Sequence, residues 1–284
     1  MTIRKVLVPL DGSDRDRQAL NAAFSVAQVF GAHIDAMHVR VQPVDTLPFV
    51  GEGMSAALVQ ELVELSERET AARAAIARKT FEAMRTAANV PLAAAVGAAA
   101  TPSALWLELE GQEEDAVAAA GRLADLIVLA APEPSGSIGN PGTFGVALFE
   151  TGRPVLVAAK RDAPLRFGHI VVAWDASAQA ARALAAALPF LARAGKVSIV
   201  SAQEPGEGDD LKSVPAYLAW HGIAAESRTI GQHPSVGDAL TAAACGADLL
   251  VMGGYSHSRL REMILGGVTR HMLGKATLPL LLAH

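Results

Sequence analysis

The sequence of this chain repeats itself. The stretch KVLVPLDGSDRDRQAL in the first half is answered 164 residues later by HIVVAWDASAQAARAL, an offset that pairs Asp11 with Asp175. A chain of 284 residues is long for one domain and comfortable for two. The repeat therefore predicts two domains of the same fold, at 1–163 and 164–284.

Later in each half the offset becomes shorter. ADLIVLA and ADLLVMG pair Asp125 with Asp248 at an offset of 123, and Pro154 stands opposite Pro279 near the end of each copy. The fall from 164 to 123 means that the second copy lacks 41 residues. Most of the extra material in the first copy is the stretch 55–88, which has alanines, leucines and charges at helical spacing and no Gly or Pro. We expect one long helix there.

Within each copy, strand patterns alternate with helix patterns. Val6 to Pro9 and Ile170 to Trp174 are continuous apolar runs, as central parallel strands need when helices cover both faces. Each is followed by Asp-x-Ser and an alanine-rich amphipathic helix, with Ser13 or Ser177 in the N-cap position. The pattern predicts an α/β fold with two tandem, doubly wound, parallel five-stranded sheets.

The predicted topology also indicates where a ligand would bind. In doubly wound sheets, ligands occupy the crevice beyond the carboxyl ends of the strands, where the strand order reverses. For the order 3-2-1-4-5, this crevice lies between the ends of strands 1 and 4. In the second copy these ends are Asp175 and Gly253, and the loop GGYSHSRLREMILGGVTRH starts at the latter.

Composition excludes several classes of function. No apolar run reaches the roughly 18 residues of a membrane span, and the beginning of the chain lacks the pattern of a signal peptide, so we expect a cytoplasmic protein. The 29 acidic and 24 basic residues give a net charge of -5, which favours neither nucleic acid nor a membrane surface as a partner. The single cysteine, Cys245, excludes an intramolecular disulfide, and its apolar neighbours predict a small buried thiol.

Several segments together resemble the universal stress protein family. They are VLVPLDGS, His38-Val39 after strand 2, ADLLVMG followed by a glycine loop, and the final strand LPLLLAH. The duplication resembles a tandem member. The resemblance implies an adenine nucleotide hydrolase-like fold with strand order 3-2-1-4-5. It also implies a loop after strand 4 that wraps the phosphates of ATP, and an aspartate after strand 1 near the ribose and adenine.

The family pattern for that loop is Gly, two residues, Gly, nine residues, Gly, then Ser or Thr. Gly253, Ser256, Gly266 and Gly267 take these positions, so the second and fourth depart from the pattern. A serine where a left-handed backbone is needed costs roughly 1 to 2 kcal/mol. A lost hydroxyl donor to phosphate costs roughly 1.5 to 3 kcal/mol. Together the departures predict binding weakened by a factor of about 100 or more.

Other groups near this loop remain available to an anion. The backbone N–H groups of Gly266 and Gly267 precede a helix, whose positive end favours a phosphate. Donors or charge are also expected from four further residues, namely His257, Arg259, Arg261 and Thr269. The first copy has Ala130 in place of the first glycine, followed by a loop with three prolines. We therefore expect its site to be degenerate.

Structural explanations compete with each of these assignments. Asp175 is either a ribose or adenine contact or the residue that ends strand 1 and helps to cap the next helix. The glycines either cradle phosphate or let the chain turn tightly. His257, Arg259 and Arg261 also fit a solvated surface. His38 and His284 have no partners at metal-ligand spacing, so no metal site is predicted.

Three functions stay open from the sequence. The first is a stress-response regulatory module that binds an adenine nucleotide, ATP with or without Mg2+, and changes its contacts with an unknown protein partner. The second is a scaffold that binds no nucleotide. The third, an adenylating enzyme, is ranked last because the chain lacks the expected loop after strand 1 and any nucleophile beside a base. At most, slow ATP hydrolysis is expected.

The last strands of the two copies predict how the copies associate. Pro154 to Ala159 and Pro279 to Ala283 are apolar and lie at sheet edges in the order 3-2-1-4-5, where unpaired backbone groups favour pairing. The family dimerises through this strand. We therefore expect an intramolecular pseudo-dimer, with a further homodimer left open.

Overall fold

The two copies form one continuous sheet. The computed structural model describes residues 2–41, 56–94, 101–131, 141–159, 164–202, 211–231, 234–254, 267–275 and 277–284. Its strands are β1 (Lys5–Pro9), β2 (His33–Arg40), β3 (Ser103–Glu110), β4 (Leu126–Leu129), β5 (Val155–Val157), β6 (His169–Ala173), β7 (Lys196–Ser201), β8 (Glu226–Thr229), β9 (Leu249–Gly253) and β10 (Leu280–Ala283). Their order is β3-β2-β1-β4-β5-β10-β9-β6-β7-β8. Each half has the predicted order 3-2-1-4-5, so the predicted fold class is confirmed.

Helices cover both faces of this sheet. They are α1 (Asp16–Phe30), α2 (Ala56–Ala87), α3 (Glu113–Gly121), α4 (Pro141–Phe149), α5 (Ala178–Leu191), α6 (Ser213–Ala219), α7 (Val236–Ala243) and α8 (Gly267–Lys275). Within β1, Val6 and Val8 belong to the core beneath α1 and α2, while Leu7 belongs to the core beneath α3 and α4. Successive side chains of a strand point to opposite faces. A strand buried on both sides must therefore be apolar throughout, as the sequence of β1 is.

The two halves join through their last strands. β5 and β10 pair antiparallel, with Leu156 opposite Leu281, whereas every other strand pair in the described sheet is parallel. Both residues are fully buried. This pairing is the intramolecular association that the apolar final strands predict, and it removes two exposed sheet edges within one chain.

The connection between the halves is itself part of the core. Phe167 packs against both Phe30 of α1 and Phe190 of α5, at 6.4 and 5.1 Å between ring centroids, and those two rings are themselves 5.1 Å apart. Just before it, the backbone N–H of Leu165 donates to the hydroxyl of Ser25 at 2.9 Å. Aromatic pairs at these distances add to the energy of burial. The two α/β units are therefore packed together on this face as well as along the sheet. The predicted boundary at 163/164 adjoins residues outside the described ranges and stays a prediction.

Of the two predicted N-caps and the predicted buried thiol, the structure bears out only one N-cap. Ser177 caps α5 as predicted, since its hydroxyl accepts the N–H of Ala180 at 3.1 Å. Ser13 does not cap α1, because a turn intervenes and the helix begins only at Asp16. The prediction of a buried thiol was wrong: Cys245 is exposed, because it lies in the turn after α7 rather than on its buried face. In the described part of the chain, no helix combines the length and the apolar character needed to cross a bilayer.

Candidate functional site

The ends of β6 and β9 meet at one edge of the second half. The two strands are parallel neighbours, with Ile170 opposite Leu249 and Val172 opposite Val251. Asp175 follows β6 by two residues, and Gly253 is the last residue of β9. The crevice that the sequence predicts between strands 1 and 4 is therefore bordered by these elements.

Asp175 begins a tight turn into α5. One of its carboxylate oxygens accepts the backbone N–H of Ser177 at 3.0 Å and the hydroxyl of the same residue at 2.6 Å. Between them Ala176 has φ of 56°, in the left-handed region that favours glycine. Asp175 is nevertheless exposed, and both of these hydrogen bonds are accepted by its Oδ1 atom. The residue thus stabilises the turn while presenting its carboxylate to the crevice edge.

Gly253 has a packing role. A Cβ there would lie 2.7 Å from the backbone nitrogen of Ala180 and 2.9 Å from the carbonyl carbon of Gln179. Those are backbone atoms of the first turn of α5, which cannot move aside cheaply. The glycine is therefore required for the close approach of β9 and α5, whether or not a ligand binds.

Two hydrogen bonds hold Gly254, the first residue of the loop after β9. The N–H of Gly254 donates to the carbonyl of Ala283 at 2.8 Å, and His284 Nδ1 donates to the carbonyl of Gly254 at 3.0 Å. The ring of His284 also packs edge-on against Phe149 of α4, at 4.8 Å between centroids. Sequence reasoning considered His284 only as a metal ligand and missed this role. The contact ties the start of the candidate loop to a helix of the first half.

The far end of that loop is the N-terminus of α8. Gly267 is the first residue of the helix and is exposed, with open space around the position of a Cβ. Thr269, the third residue of α8, is 3 % exposed, so its hydroxyl does not face solvent. The equivalent third residue of α4, Thr143, is also buried. Five other residues that the sequence predicts at this site lie outside the described residues and stay predictions: Ser256, His257, Arg259, Arg261 and Gly266.

The loop after β1 in the first half, which corresponds to the turn at Asp175, is held together by its own carboxylates. Asp16 is 3 % exposed and accepts the backbone N–H groups of Asp11 at 3.1 Å and Gly12 at 3.0 Å. The carboxylate of Asp11 forms an ion pair with Arg15 at 2.8 Å. Gly12 has φ of 80° and lies against α2, where a Cβ would come within 2.6 Å of the carbonyl oxygen of Arg73. The residue equivalent to Asp16 in the second half is Ala180, which has no carboxylate.

The pKa values of the two carboxyl groups of this loop are shifted in opposite directions. Burial, together with the charge of Asp11, raises the pKa of Asp16 from 3.8 to about 7. Burial also acts to raise the pKa of Asp11, but hydrogen bonds from Ser13 and the charge of Arg15 outweigh it and hold that pKa below 3.8. Near neutral pH, Asp11 is therefore ionised, whereas Asp16 is partly protonated.

The aspartates of the repeated ADL segments belong to the opposite edge of the sheet. Asp125 accepts the N–H groups of Arg4 and Lys5 at 2.8 and 3.0 Å, and Asp248 accepts the N–H of His169 at 2.9 Å. They fix the amino ends of β1 and β6, one in each half. Their repetition therefore has a structural cause and adds nothing to the candidate site.

The sequence matches the model of the universal stress protein family over residues 2–137 and 166–284. The chain belongs to the universal stress protein family. Both halves match, so it is a tandem member, as the resemblance implies.

Solved structures give the same fold. A universal stress protein from Archaeoglobus fulgidus DSM 4304 is similar over 98 % of this chain and 97 % of its own, with 18 % identity and a TM-score of 0.69. A protein described as functionally unknown, from Pseudomonas aeruginosa PAO1, covers 99 % of this chain and 92 % of its own, with 15 % identity and a TM-score of 0.56. No curated protein matches the sequence. At these identities the similarity establishes the fold alone.

The two universal stress protein domains are thus unequal at the end of their first strands. In the first domain, Asp16 binds the amides of the loop and α2 covers Gly12. In the second domain, Ala180 replaces the buried acid, α6 with 7 residues takes the place of α2 with 32 residues, and Asp175 is exposed. The carboxylate that follows the first strand is therefore more exposed in the second domain than in the first.

Proposed function

We propose that this protein is a stress-response regulatory protein whose second domain binds an adenine nucleotide, ATP with or without Mg2+. The nucleotide lies at the carboxyl edge of β6 and β9, between Asp175 and the N-terminus of α8. The observation that carries the proposal is the contrast between the two domains. The carboxylate after the first strand, Asp175, is exposed in the second domain, whereas its counterpart in the first domain, Asp11, is half-buried and paired with Arg15.

The chemistry at the two sides of this crevice suits the two ends of a nucleotide. Asp175 has a carboxylate oxygen available to accept ribose hydroxyls. At the other side, the exposed N-terminus of α8 at Gly267 offers backbone N–H donors and the positive end of the helix dipole to phosphates. Ser256 and Gly267 depart from the loop pattern of nucleotide-binding members, so we expect weak binding that needs ATP near its millimolar cellular level.

Replacing Gly267 with proline tests the phosphate side. Proline is tolerated at the first position of a helix and removes one N–H donor there, and α4 already begins with Pro141. The loss of one hydrogen bond to a charged group should weaken ATP binding by about ten- to a hundredfold. Val236→Pro is the matched control, since Val236 begins α7 after an extended Ser235. Equal ATP affinity in Gly267→Pro and Val236→Pro, measured by calorimetry on the full chain, would contradict the assignment of α8.

Replacing Asp175 with asparagine tests the other side. Asparagine keeps the oxygen that accepts both bonds from Ser177 and removes the charge, so the turn should survive while ATP affinity falls several-fold. Asp11→Asn makes the same change in the first domain and should leave ATP affinity unchanged. A loss of affinity in Asp11→Asn and not in Asp175→Asn would move the site to the first domain.

A scaffold that binds no nucleotide is the second candidate. Two structural roles favour it: Asp175 accepts hydrogen bonds from Ser177, and the missing side chain of Gly253 lets α5 pack closely against β9. Mass spectrometry of the purified protein and a thermal shift with millimolar ATP separate the two. If neither detects a nucleotide, the scaffold is the function to pursue.

A further inference from the structure

The long helix α2 extends well beyond the part that packs on its own domain. Its second half is anchored by Ala74, Ala77 and Phe81, all buried against the first domain. In the range 57–73, by contrast, none of the side chains is buried. Packing at Gly12 fixes Arg73 beside the end of β1, so the preceding turns run past the carboxyl edge of the sheet.

This helix carries exposed apolar side chains in register. Leu58, Leu65 and Ile76 are 43 %, 53 % and 50 % exposed, and Ala72 is exposed between the last two. Positions 58, 65 and 72 are seven residues apart, and 76 follows four later, which places them along one stripe of the helix. A stripe of this kind, outside the face that packs on the domain, is typical of a helix that contacts another helix.

The exposed charged side chains of α2 are segregated along the helix. Before residue 70 most of them are acidic, and after it they are basic. The exposed acidic residues are Glu61, Glu64, Glu67 and Glu69, and the exposed basic residues after them are Arg73, Arg78 and Lys79. The exception is Arg68, which pairs with Glu64 of the same helix at 3.5 Å.

We propose that α2 binds α2 of a second copy of this chain, in antiparallel orientation. An antiparallel pair places the acidic half of each helix beside the basic half of the other, and the apolar stripes face each other. A parallel pair would place Glu61 beside Glu61 and Lys79 beside Lys79, which like-charge repulsion disfavours. Because the pairing is two-fold symmetric, each complementary contact occurs twice.

The size of the surface predicts a weak dimer. The stripe from Leu58 to Ile76 is roughly 27 Å long at 1.5 Å per residue. A pair of helices in contact over that length buries on the order of 1,000 Å² in total, at the lower limit for a specific interface. We therefore expect a dissociation constant in the micromolar range, and a molar mass that rises with protein concentration. Nucleotide binding plays no part in this contact.

Charge reversal with mixing gives the decisive experiment. One variant, Glu61→Lys with Glu64→Lys, makes the helix basic at both ends, and the other, Arg73→Glu with Lys79→Glu, makes it acidic. Each alone should raise the dimer dissociation constant at least about tenfold, since attraction becomes repulsion at both ends. An equimolar mixture of the two should form a heterodimer. Sedimentation equilibrium of the full chains measures all three, and circular dichroism verifies that α2 is intact.

The apolar stripe is tested by Leu65→Asp, with Leu123→Asp as control. Leu123 is 76 % exposed and lies after α3, away from α2. Leu65→Asp should be monomeric at concentrations where the wild type and Leu123→Asp are dimeric. The proposal is overturned by a wild-type protein that stays monomeric to about 200 µM, well above micromolar. Dimers that persist in both charge variants, or a mixture that fails to associate, would overturn it equally.

Discussion

Replacing Asp16 with alanine, the residue at the equivalent position of the second domain, should change how stability depends on pH. Asp16 is buried beneath the first loop, and its pKa is raised from 3.8 to about 7. A pKa raised in the folded state means that folding favours the protonated form. The free energy of unfolding of the wild type therefore falls as the pH rises from about 4 to about 7, and the contribution of Asp16 is lost above that range.

The magnitude follows from the two pKa values. Each tenfold change in proton affinity is worth about 1.4 kcal/mol, so ionised Asp16 costs the folded state roughly 4 kcal/mol relative to the protonated form. Between about pH 5 and pH 8, the linkage relation gives a change of roughly 2 to 3 kcal/mol. Alanine also leaves the amides of Asp11 and Gly12 without their acceptor, at a cost of about 1 kcal/mol each. Asp16→Ala should therefore be less stable than the wild type at pH 5, and as stable or more stable at pH 8.

Urea unfolding followed by circular dichroism, at several pH values from about 5 to 8, measures this difference. Asp14→Ala removes an exposed carboxylate from the same loop and corrects for the loss of one negative charge. The titration of Asp11 does not interfere, because its lowered pKa confines its effect to pH values below about 4. If the difference in stability between Asp16→Ala and the wild type is the same at pH 5 and pH 8, the buried carboxylate is not the titrating group and the reasoning fails.

Three further substitutions test the packing. Gly253→Ala should lower the free energy of unfolding by about 1 to 3 kcal/mol, because its Cβ would meet the backbone of α5 at 2.7 Å; unchanged stability would mean that β9 and α5 adjust freely. Ala176→Gly should raise the melting temperature slightly, since it relieves a left-handed φ of 56° worth roughly 1 kcal/mol, and a lower melting temperature would count against that strain. Phe167→Ala should cost about 3 kcal/mol by removing a buried ring that packs against Phe30 and Phe190. Denaturant unfolding that leaves Phe167→Ala within 1 kcal/mol of the wild type would show that the connection between the domains contributes little.

The cap at Ser177 and the exposure of Cys245 show why some local predictions succeed and others fail. A cap depends on a hydroxyl three residues from the N–H it accepts, so the sequence contains both partners. The burial of a cysteine depends on the residue at which its helix ends. Here α7 ends at Ala243, which leaves Cys245 in an exposed turn despite its apolar neighbours.

The sequence by itself determined the duplicated α/β fold, which follows from apolar periodicity and from a repeat that records each element twice. The strand order 3-2-1-4-5, and with it the edge at which strands 1 and 4 end, was implied by the resemblance to the universal stress protein family and is confirmed by the structure. Tertiary structure decided that Asp16 accepts the amides of the loop after β1, that α5 packs closely against Gly253 and that His284 donates a hydrogen bond to Gly254. It also decided where the long helix packs and where it extends. Each of these depends on which groups the fold brings within about 3 Å of one another, a distance that the order of residues along the chain does not specify.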